Sequence, residues 1–263
     1  MTIKIPRNYM GEPIEGSMER ILARAALPSI PADQANVNPN VNISTIGDYW
    51  QVSGVNYRNG VHTVDLAKTL LENGNVKTQD DWAAYSESAL AQNEFRTPDY
   101  PLFYRLVKAL YDAKDDSTKA QEVEEAKKFL KDASRARMLM TLTRIAYRPS
   151  GEDVITHNFG TREKYEEKTD FVGEEGLLKD KANPASCKAL FGTDNVQDIS
   201  DVFQWLNGTD TYIWRVNSRP NQLNERVAWF VAGSVRAYLN CSRYPTNSGS
   251  SLGVRFSAGG SAP

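Results

Sequence analysis

The side chains that could carry out covalent or acid–base chemistry are few and far apart in this sequence. The chain has two cysteines, Cys187 and Cys241, and two histidines, His62 and His157. Cys241 and His157 could form a nucleophile–base pair, but no local motif supports it, and small buried cysteines are far commoner than catalytic ones. Neither cysteine belongs to a CxxC pair, so no zinc motif is formed. We expect two buried thiols in preference to a disulfide, and no structural metal.

The common catalytic and cofactor-binding signatures are also absent. The sequence contains no GxGxxG, Walker loop, HExxH, GxSxG or DxDxDG pattern. Acidic residues are plentiful, but Glu166-Glu167 and Glu174-Glu175 are adjacent pairs, which do not face each other on a helix or a strand. We interpret them as surface charges. The sequence therefore favours a protein that is not an enzyme and that needs no cofactor.

Composition narrows the remaining classes. The 263 residues, 40% hydrophobic and 24% charged, can build one large domain or two modest ones. The formal net charge of -2 gives no general attraction for nucleic acid or an anionic membrane. No apolar run is long enough to span a bilayer, and no signal peptide is seen. We expect a cytoplasmic protein by default, or one displayed on a virion or cell surface through partners.

The elements that must position any site divide the chain into two parts. Residues 1–50 are predicted to form a loop-rich arm containing a short helix at Ser17–Ala26, either flexible or packed on a partner subunit of an oligomer. Residues 51–263 are predicted to form the main domain. Its helical part is expected at about 62–134, and its strand-rich part at 137–258.

Capping residues and apolar periodicity predict the helices. Thr63 is a candidate cap for VDLAKTLLENG, with Gly74 as its stop, and Thr78 or Gln79 opens DDWAAYSESALAQ. YPLFYRLVKALYDA has a wide apolar stripe. The charged run KDDSTKAQEVEEAKKFLKDASR is predicted to be a solvated helix with an i,i+4 pair, Glu124–Lys128.

The pattern changes to strands after Arg137. RMLMTLTRIAYR and DVITHNFG are typical of a strand and its returning partner, residues 161–195 look irregular, and ISDVFQWLNG is predicted to be a helix closed by Asn207-Gly208. Four strand-like segments follow: YIWRVNS, RVAWFVA, SVRAYLNCSR and SLGVRFS. The sequence thus predicts an α+β fold with a small twisted antiparallel sheet and flanking helices.

The segment from Ser234 to Ser242 alternates in character. Val235, Ala237, Leu239 and Cys241 occupy the odd positions, and polar or aromatic residues occupy the even ones. Successive side chains of a strand point to opposite faces, so the odd set is expected in a core and the even set on the surface. An ordinary half-exposed strand gives the same pattern. Interleaved Arg and aromatic residues also fit a single-strand nucleic-acid sheet, but the acidic balance of the chain disfavours nucleic acid.

A second feature of this region is what it lacks. From Val231 to Pro263 there is no Lys, Gln, Glu, Met or Trp, although Gln222, Glu225 and Trp229 lie just upstream. Codons that end in C or T cannot encode these five amino acids. Randomising the adenines of an Asn codon yields only such codons, so the absence fits diversification that starts from Asn codons.

These features together resemble the variable proteins of diversity-generating retroelements. The resemblance lies in WRVNSRP, RVAWF, LNCSRYP and SSLGVR. In that family, adenine-directed mutagenesis diversifies the C-terminal part of a C-type-lectin-like domain. The resemblance implies that fold, with a variable region at about 215–255. The calcium-dependent sugar motifs EPN and WND are absent, so calcium-mediated sugar binding is not expected.

The resemblance also implies two roles for residues. Fixed residues would hold the backbone: Trp214, Arg215, Pro220, Phe230, Leu239, Cys241, Pro245, Gly253, Val254 and Arg255. Diversified residues would bind an unknown ligand, expected to be a protein or cell-surface molecule: Val231, Ser234, Arg236, Tyr238, Asn240, Ser242, Arg243, Tyr244, Thr246 and Asn247. Two alternatives stay open: a lectin-like-fold enzyme related to formylglycine-generating enzymes, and a phage or virus structural protein.

Overall fold

A computed structural model describes residues 8–9, 12–13, 41–170, 175–215, 219–233 and 235–257. The chain divides into two compact units, residues 1–38 and 39–263. In the first unit, Asn8–Tyr9 (β1) pairs antiparallel with Glu12–Pro13 (β2). The helix predicted at Ser17–Ala26 lies outside the described residues. The second unit begins before residue 51, because residues just upstream of it already form strands.

The second unit combines helices and strands in one α+β arrangement. Its described helices are Gln79–Gln92 (α1), Tyr100–Asp112 (α2), Ala120–Ala136 (α3), Leu178–Lys181 (α4), Pro184–Phe191 (α5) and Val196–Asn207 (α6). Its described strands are Asn42–Ile46 (β3), Tyr49–Tyr57 (β4), Gly60–Ala67 (β5), Leu139–Tyr147 (β6), Asp153–His157 (β7), Tyr165–Thr169 (β8), Gly176–Leu177 (β9), Thr211–Arg215 (β10), Asn224–Ala232 (β11), Ala237–Arg243 (β12) and Val254–Phe256 (β13).

The larger sheet has seven strands in the order β8-β7-β6-β11-β12-β10-β9. Its pairs are antiparallel except β10 and β12, which run parallel. The expected small antiparallel sheet is therefore wrong in size and in one pairing. Residues 161–195, expected to be irregular, supply β8, β9 and two helices, because a charged strand at a sheet edge needs little apolar character.

The smaller sheet has the order β13-β5-β4-β3. It corrects the prediction of a helix at residues 64–74, where the chain forms β5 and then a short 3-10 turn at Leu71–Gly74. Pairing with β4 on one side and β13 on the other satisfies the backbone of β5, and these long-range contacts override local helix propensity.

The predicted caps of the other helices are largely present. Thr78 Oγ1 accepts a hydrogen bond from Asp81 N at 3.2 Å, and Gly208, with φ of 75°, closes α6. On α3 the predicted Glu124–Lys128 pair is wrong, because Lys127 contacts Glu124 at 3.0 Å and Lys128 turns to an aspartate one turn later. Either spacing brings charges together on a helix surface.

Two apolar clusters cover the larger sheet. The main cluster joins one face of the sheet to α2, α3 and α6, and it contains the buried thiols Cys187 and Cys241. The second lies on the other face, where Trp82 of α1 packs with Met140 and Trp229. No described helix is long and apolar enough to cross a membrane. Toward β12 and β10, the face that carries Trp229 gives way to partly exposed side chains.

Candidate binding face

The parallel pairing of β10 with β12 builds the centre of the candidate site. Tyr212 is paired with Tyr238, and Trp214 with Asn240, so these four side chains share one face of the sheet. The alternate residues Ile213, Leu239 and others of β12 are buried in the main core. A fixed core layer thus lies directly behind an accessible layer.

Aromatic contacts connect the accessible layer along both strands. The Tyr238 ring lies 6.3 Å from that of Tyr212 and 5.9 Å from that of Trp214, measured between centroids. The Arg236 guanidinium lies 4.3 Å from the Tyr212 centroid. Val231 of β11 is paired with Tyr238 and extends the same row. Trp214 keeps 46% of its surface exposed, so the row presents a large apolar area to solvent.

An irregularity in β12 shapes the end of this row. Val227 is paired with Arg243 and Trp229 with Asn240, so β11 advances by two residues while β12 advances by three. The extra residue on β12 is a β-bulge, which brings Asn240 and Arg243 to the same side. Asn240 Oδ1 accepts hydrogen bonds from Ser242 N and Ser242 Oγ, each at 3.0 Å, and these bonds hold the bulge.

The turn after β12 carries the face further. Tyr244 N donates to Asn247 Oδ1 at 3.1 Å, and Asn247 N donates to Tyr244 O at 3.0 Å. These two bonds close a compact turn through Pro245 and Thr246. Tyr244 is 56% exposed, and the Arg226 guanidinium lies against its ring, 3.8 Å from the ring centroid. The turn therefore displays Tyr244 in a defined position.

These elements surround a depression with a volume of about 250 Å³. Its lining residues are Trp214, Asn240, Ser242, Arg243, Tyr244 and Asn247. None of these six is a His, Cys, Asp or Glu, the residue types that most often act as general bases or metal ligands. We call the connected surface made of the lining residues together with Tyr212, Arg236 and Tyr238 the β10–β12 face.

Of the residues predicted to bind ligand, some line the depression and others lie beside it. Asn240, Ser242, Arg243, Tyr244 and Asn247 line the depression. Arg236 and Thr246 are exposed beside it, Val231 and Tyr238 are half-buried, and Ser234 lies outside the described residues. Asn240 differs from its expected exposure, because only 8% of its surface is accessible and its oxygen is engaged by Ser242.

The expected core set also contains differences. Val235 is 75% exposed, because it lies in the turn between β11 and β12, outside the strand in which alternation applies. Trp214, predicted to be a scaffold residue, lines the depression, and Tyr212 joins the same face without having been predicted. The alternation of Tyr212 and Trp214 about Ile213 was a signal, but only the β10–β12 pairing shows which face they share.

The predicted scaffold residues near the C-terminus do hold the backbone. A Cβ on Gly253 would lie 2.9 Å from Leu71 Cδ2 and 3.2 Å from Ala67 Cβ, so a larger residue would require these neighbours to shift. Arg255 Nε donates to Asp65 Oδ2 at 2.9 Å, and Asp65 is almost fully buried. Ser257 Oγ donates to the other oxygen of Asp65 at 2.6 Å. These contacts join β13 to the smaller sheet.

Charge is distributed unevenly around the β10–β12 face. Within the part of the chain that the structure describes, no ion pair involves Arg226, Arg236 or Arg243. Nearby carboxylates are already engaged elsewhere: Glu225 contacts Arg144 at 3.8 Å, and Asp210 contacts Lys179 at 3.3 Å. The face therefore carries positive charge that its surroundings do not neutralise, on a chain whose formal charge is -2.

A separate buried network surrounds His157, the base of the conceivable Cys241 pair. Tyr100 N donates to Thr143 Oγ1 at 2.9 Å, and Thr143 Oγ1 lies 3.0 Å from His157 Nδ1. His157 Nε2 lies 2.8 Å from Ala189 O, which can only accept, so Nε2 carries the proton. Burial lowers the pKa of His157. Both ring nitrogens are occupied, so His157 serves this network and is not placed as a base for Cys241.

A neighbouring set of buried hydrogen bonds surrounds Asp99, the N-cap of α2. Tyr57 OH donates to Asp99 Oδ2 at 2.7 Å, and Asp99 Oδ1 accepts from Leu102 N at 2.8 Å. Burial raises the pKa of Tyr57 well above its ordinary value, with the Asp99 carboxylate adding to the effect. Tyr57 is thus a hydrogen-bond donor that stays protonated, and the network fixes α2 against the smaller sheet.

Among the described residues, no group of three or more His, Cys, Asp or Glu side chains could hold a metal ion. Comparisons of the chain with models of known protein families, with characterised proteins and with solved structures return no match.

Proposed function

We propose that the protein is a ligand-binding protein whose binding surface is the β10–β12 face, diversified by a retroelement on a C-type-lectin-like scaffold. The observation that carries the proposal is the depression, since five of its six lining residues belong to the set predicted from sequence to vary. These five residues lie in the stretch from Val231 to Pro263, which contains no Lys, Gln, Glu, Met or Trp. These are the five amino acids that adenine mutagenesis of Asn codons cannot produce.

The arrangement of β12 supports a division between fixed and changeable residues. Ala237, Leu239 and Cys241 are fully buried, whereas Tyr238, Ser242, Arg243 and Tyr244 reach the surface. A surface can change its partner only if contacts that do not change hold its backbone. Here those contacts come from the main core, behind the sheet.

The chemistry and size of the depression favour binding over catalysis. Its lining offers aromatic, amide, hydroxyl and guanidinium groups, the types that adaptable protein-binding surfaces use most. Its volume of about 250 Å³ is below the ~300–1,000 Å³ typical of small-molecule sites. It suits part of a larger partner, such as one or two protein side chains, better than a whole metabolite.

Sequencing tests this proposal directly. We expect many copies of the gene from its source population to differ at codons for Arg236, Tyr238 and Arg243 and to agree at those for Leu239 and Cys241. We also expect a nearby near-copy of the 3′ segment, with adenines at the varying positions, and a reverse transcriptase gene. Variation spread evenly over core and surface codons would contradict the proposal, as would an invariant segment with neither neighbour.

A further inference from the structure

Most of the polar capacity left unused in the depression consists of N–H donors, although Ser242 Oγ, whose hydrogen is used on Asn240, can only accept, and the Tyr244 hydroxyl can do both. Asn240 Oδ1 is engaged by Ser242 N and Oγ, and Asn247 Oδ1 is engaged by Tyr244 N. The backbone N–H donors fix which end of each amide is oxygen, so the ends not used in these bonds are the NH₂ groups. Arg243 adds a guanidinium, which has five N–H donors and no acceptor. The lining is therefore matched to a ligand that presents acceptors.

The charge of the face specifies the kind of acceptor. Arg226, Arg236 and Arg243 have no ion pair within the described residues, and burial of Arg226 leaves its Nε without a hydrogen-bond partner there. An anionic acceptor would be attracted to this uncompensated charge. A neutral carbonyl ligand would leave it unused.

Contacts with aromatic rings hold two of the guanidinium groups in position for such a ligand. Arg236 lies over Tyr212 at 4.3 Å, and Arg243 lies 5.9 Å from the centroid of Trp229, a buried residue on the same side of the sheet. A guanidinium held against an aromatic ring keeps its N–H donors available at its edge. That edge matches the two oxygens of a carboxylate in a paired, bidentate contact.

We propose that the β10–β12 face binds an acidic segment of a protein partner, with an Asp, Glu or terminal carboxylate on Arg243 and an adjacent apolar side chain against Trp214. This inference rests on the proposed function, and it adds the chemistry of the ligand. A protein segment is favoured over nucleic acid because the depression is small and the whole chain is acidic. Trp214 and Tyr244 supply the apolar contact area that a peptide side chain would cover.

A displayed library of random 12-residue peptides, selected on the purified full-length protein, tests the inference. We expect the recovered peptides to be enriched in Asp or Glu next to Phe, Tyr, Trp or Leu. Arg243→Gln should weaken their binding at least tenfold, and so should replacing the peptide's acid with its amide. Arg105→Gln on α2, which removes the same charge away from this face, should leave binding unchanged. Equal melting temperatures of both variants would establish that the fold is intact.

The other outcomes separate the two proposals. Peptides without an acid, whose binding depends on Trp214 but not on Arg243, would overturn the acidic ligand and leave a binding function for the face. No enrichment, or binding that neither Trp214→Ala nor Arg243→Gln affects, would contradict both. Tight binding of a 12-nucleotide dT oligomer or RNA oligomer, lost in Arg243→Gln, would assign the face to nucleic acid and overturn the inference. Displacement of the bound peptides by inorganic phosphate would show that the face prefers phosphate to a carboxylate, and this result would overturn the inference.

Discussion

Two segments near the C-terminus are built from the same narrow set of residue types and have opposite surroundings. Residues 249–254 are all buried, and they run into β13. Residues 236–247 combine buried and accessible positions and expose Arg243 and Tyr244. Both lack Lys, Gln, Glu, Met and Trp. Composition therefore does not decide which segment is scaffold and which is surface.

The difference lies in where the hydrogen-bond partners come from. Residues 249–254, which we call the closing segment, are held by distant strands and turns: Ser250 O accepts from Met140 N at 2.8 Å, Ser251 O from Leu71 N at 3.0 Å, and Gly253 O from Ala67 N at 3.0 Å. The hydrogen bonds of the β10–β12 face side chains are local, such as Asn240 to Ser242 and Tyr244 to Asn247. The backbone of β12 also has distant partners in β10 and β11, but the side chains of the β10–β12 face do not hold distant elements, so we expect these side chains to be the more replaceable set.

The largest loss of stability is expected from a substitution on the buried side of β12. Leu239→Asp would place an unpaired carboxylate among fully buried side chains, and it should destabilise the fold by about 4 kcal/mol or more. Urea unfolding followed by circular dichroism should show no cooperative native transition, or one at a much lower midpoint. A midpoint close to that of the unsubstituted protein would show that β12 does not divide core from surface.

The second effect concerns β13, which continues the closing segment. Arg255→Met removes the cation that faces the buried Asp65 carboxylate, so we expect a loss of about 2 kcal/mol, reduced from the fully buried case because Arg255 is partly exposed. Adding Asp65→Asn should recover part of that loss in a double-mutant cycle. Additive effects of the two changes would mean that the pair does not hold β13.

A smaller loss of stability is expected from a substitution at Asn240, within the β10–β12 face. Asn240→Ala removes the oxygen that accepts both Ser242 N–H and Ser242 O–H, and it should cost about 1–2 kcal/mol. Thr246→Ala, at an exposed position of the next turn, is the matched control and should cost about 0.5 kcal/mol or less. Equal costs in urea unfolding would place Asn240 with the freely replaceable residues.

The sequence predicts local features of this fold well and its long-range pairings poorly. The ends of α1 and α6 follow from Thr78 and Gly208, because caps act within one turn. The helix expected at residues 64–74 is wrong because β5 is stabilised by strands on both sides, and one of them, β13, lies far away in sequence. Local periodicity carries no information about such a partner.

The candidate site shows the same limit. Alternation along β12 places Leu239 and Cys241 behind the sheet and Tyr238 in front of it, because strand geometry alone decides this. The resemblance places Trp214 in the scaffold, but the side chain is exposed, and the face on which it lies depends on the parallel pairing of β10 with β12. Asn240 is held by a bulge, whose register depends on β11.

The last prediction concerns the exposed side chains together. Replacing Arg236, Arg243, Tyr244 and Thr246 with Ser should change the free energy of unfolding by about 1 kcal/mol or less, because each exposed substitution contributes about 0.5 kcal/mol or less, of either sign. All four side chains lie outside the core, and the contacts that hold β12 come from Ala237, Leu239 and Cys241 behind it. Urea unfolding of this quadruple variant beside Leu239→Asp measures the contrast. If the quadruple variant were destabilised as strongly as Leu239→Asp, the face would be part of the scaffold, and it could not change without loss of the fold.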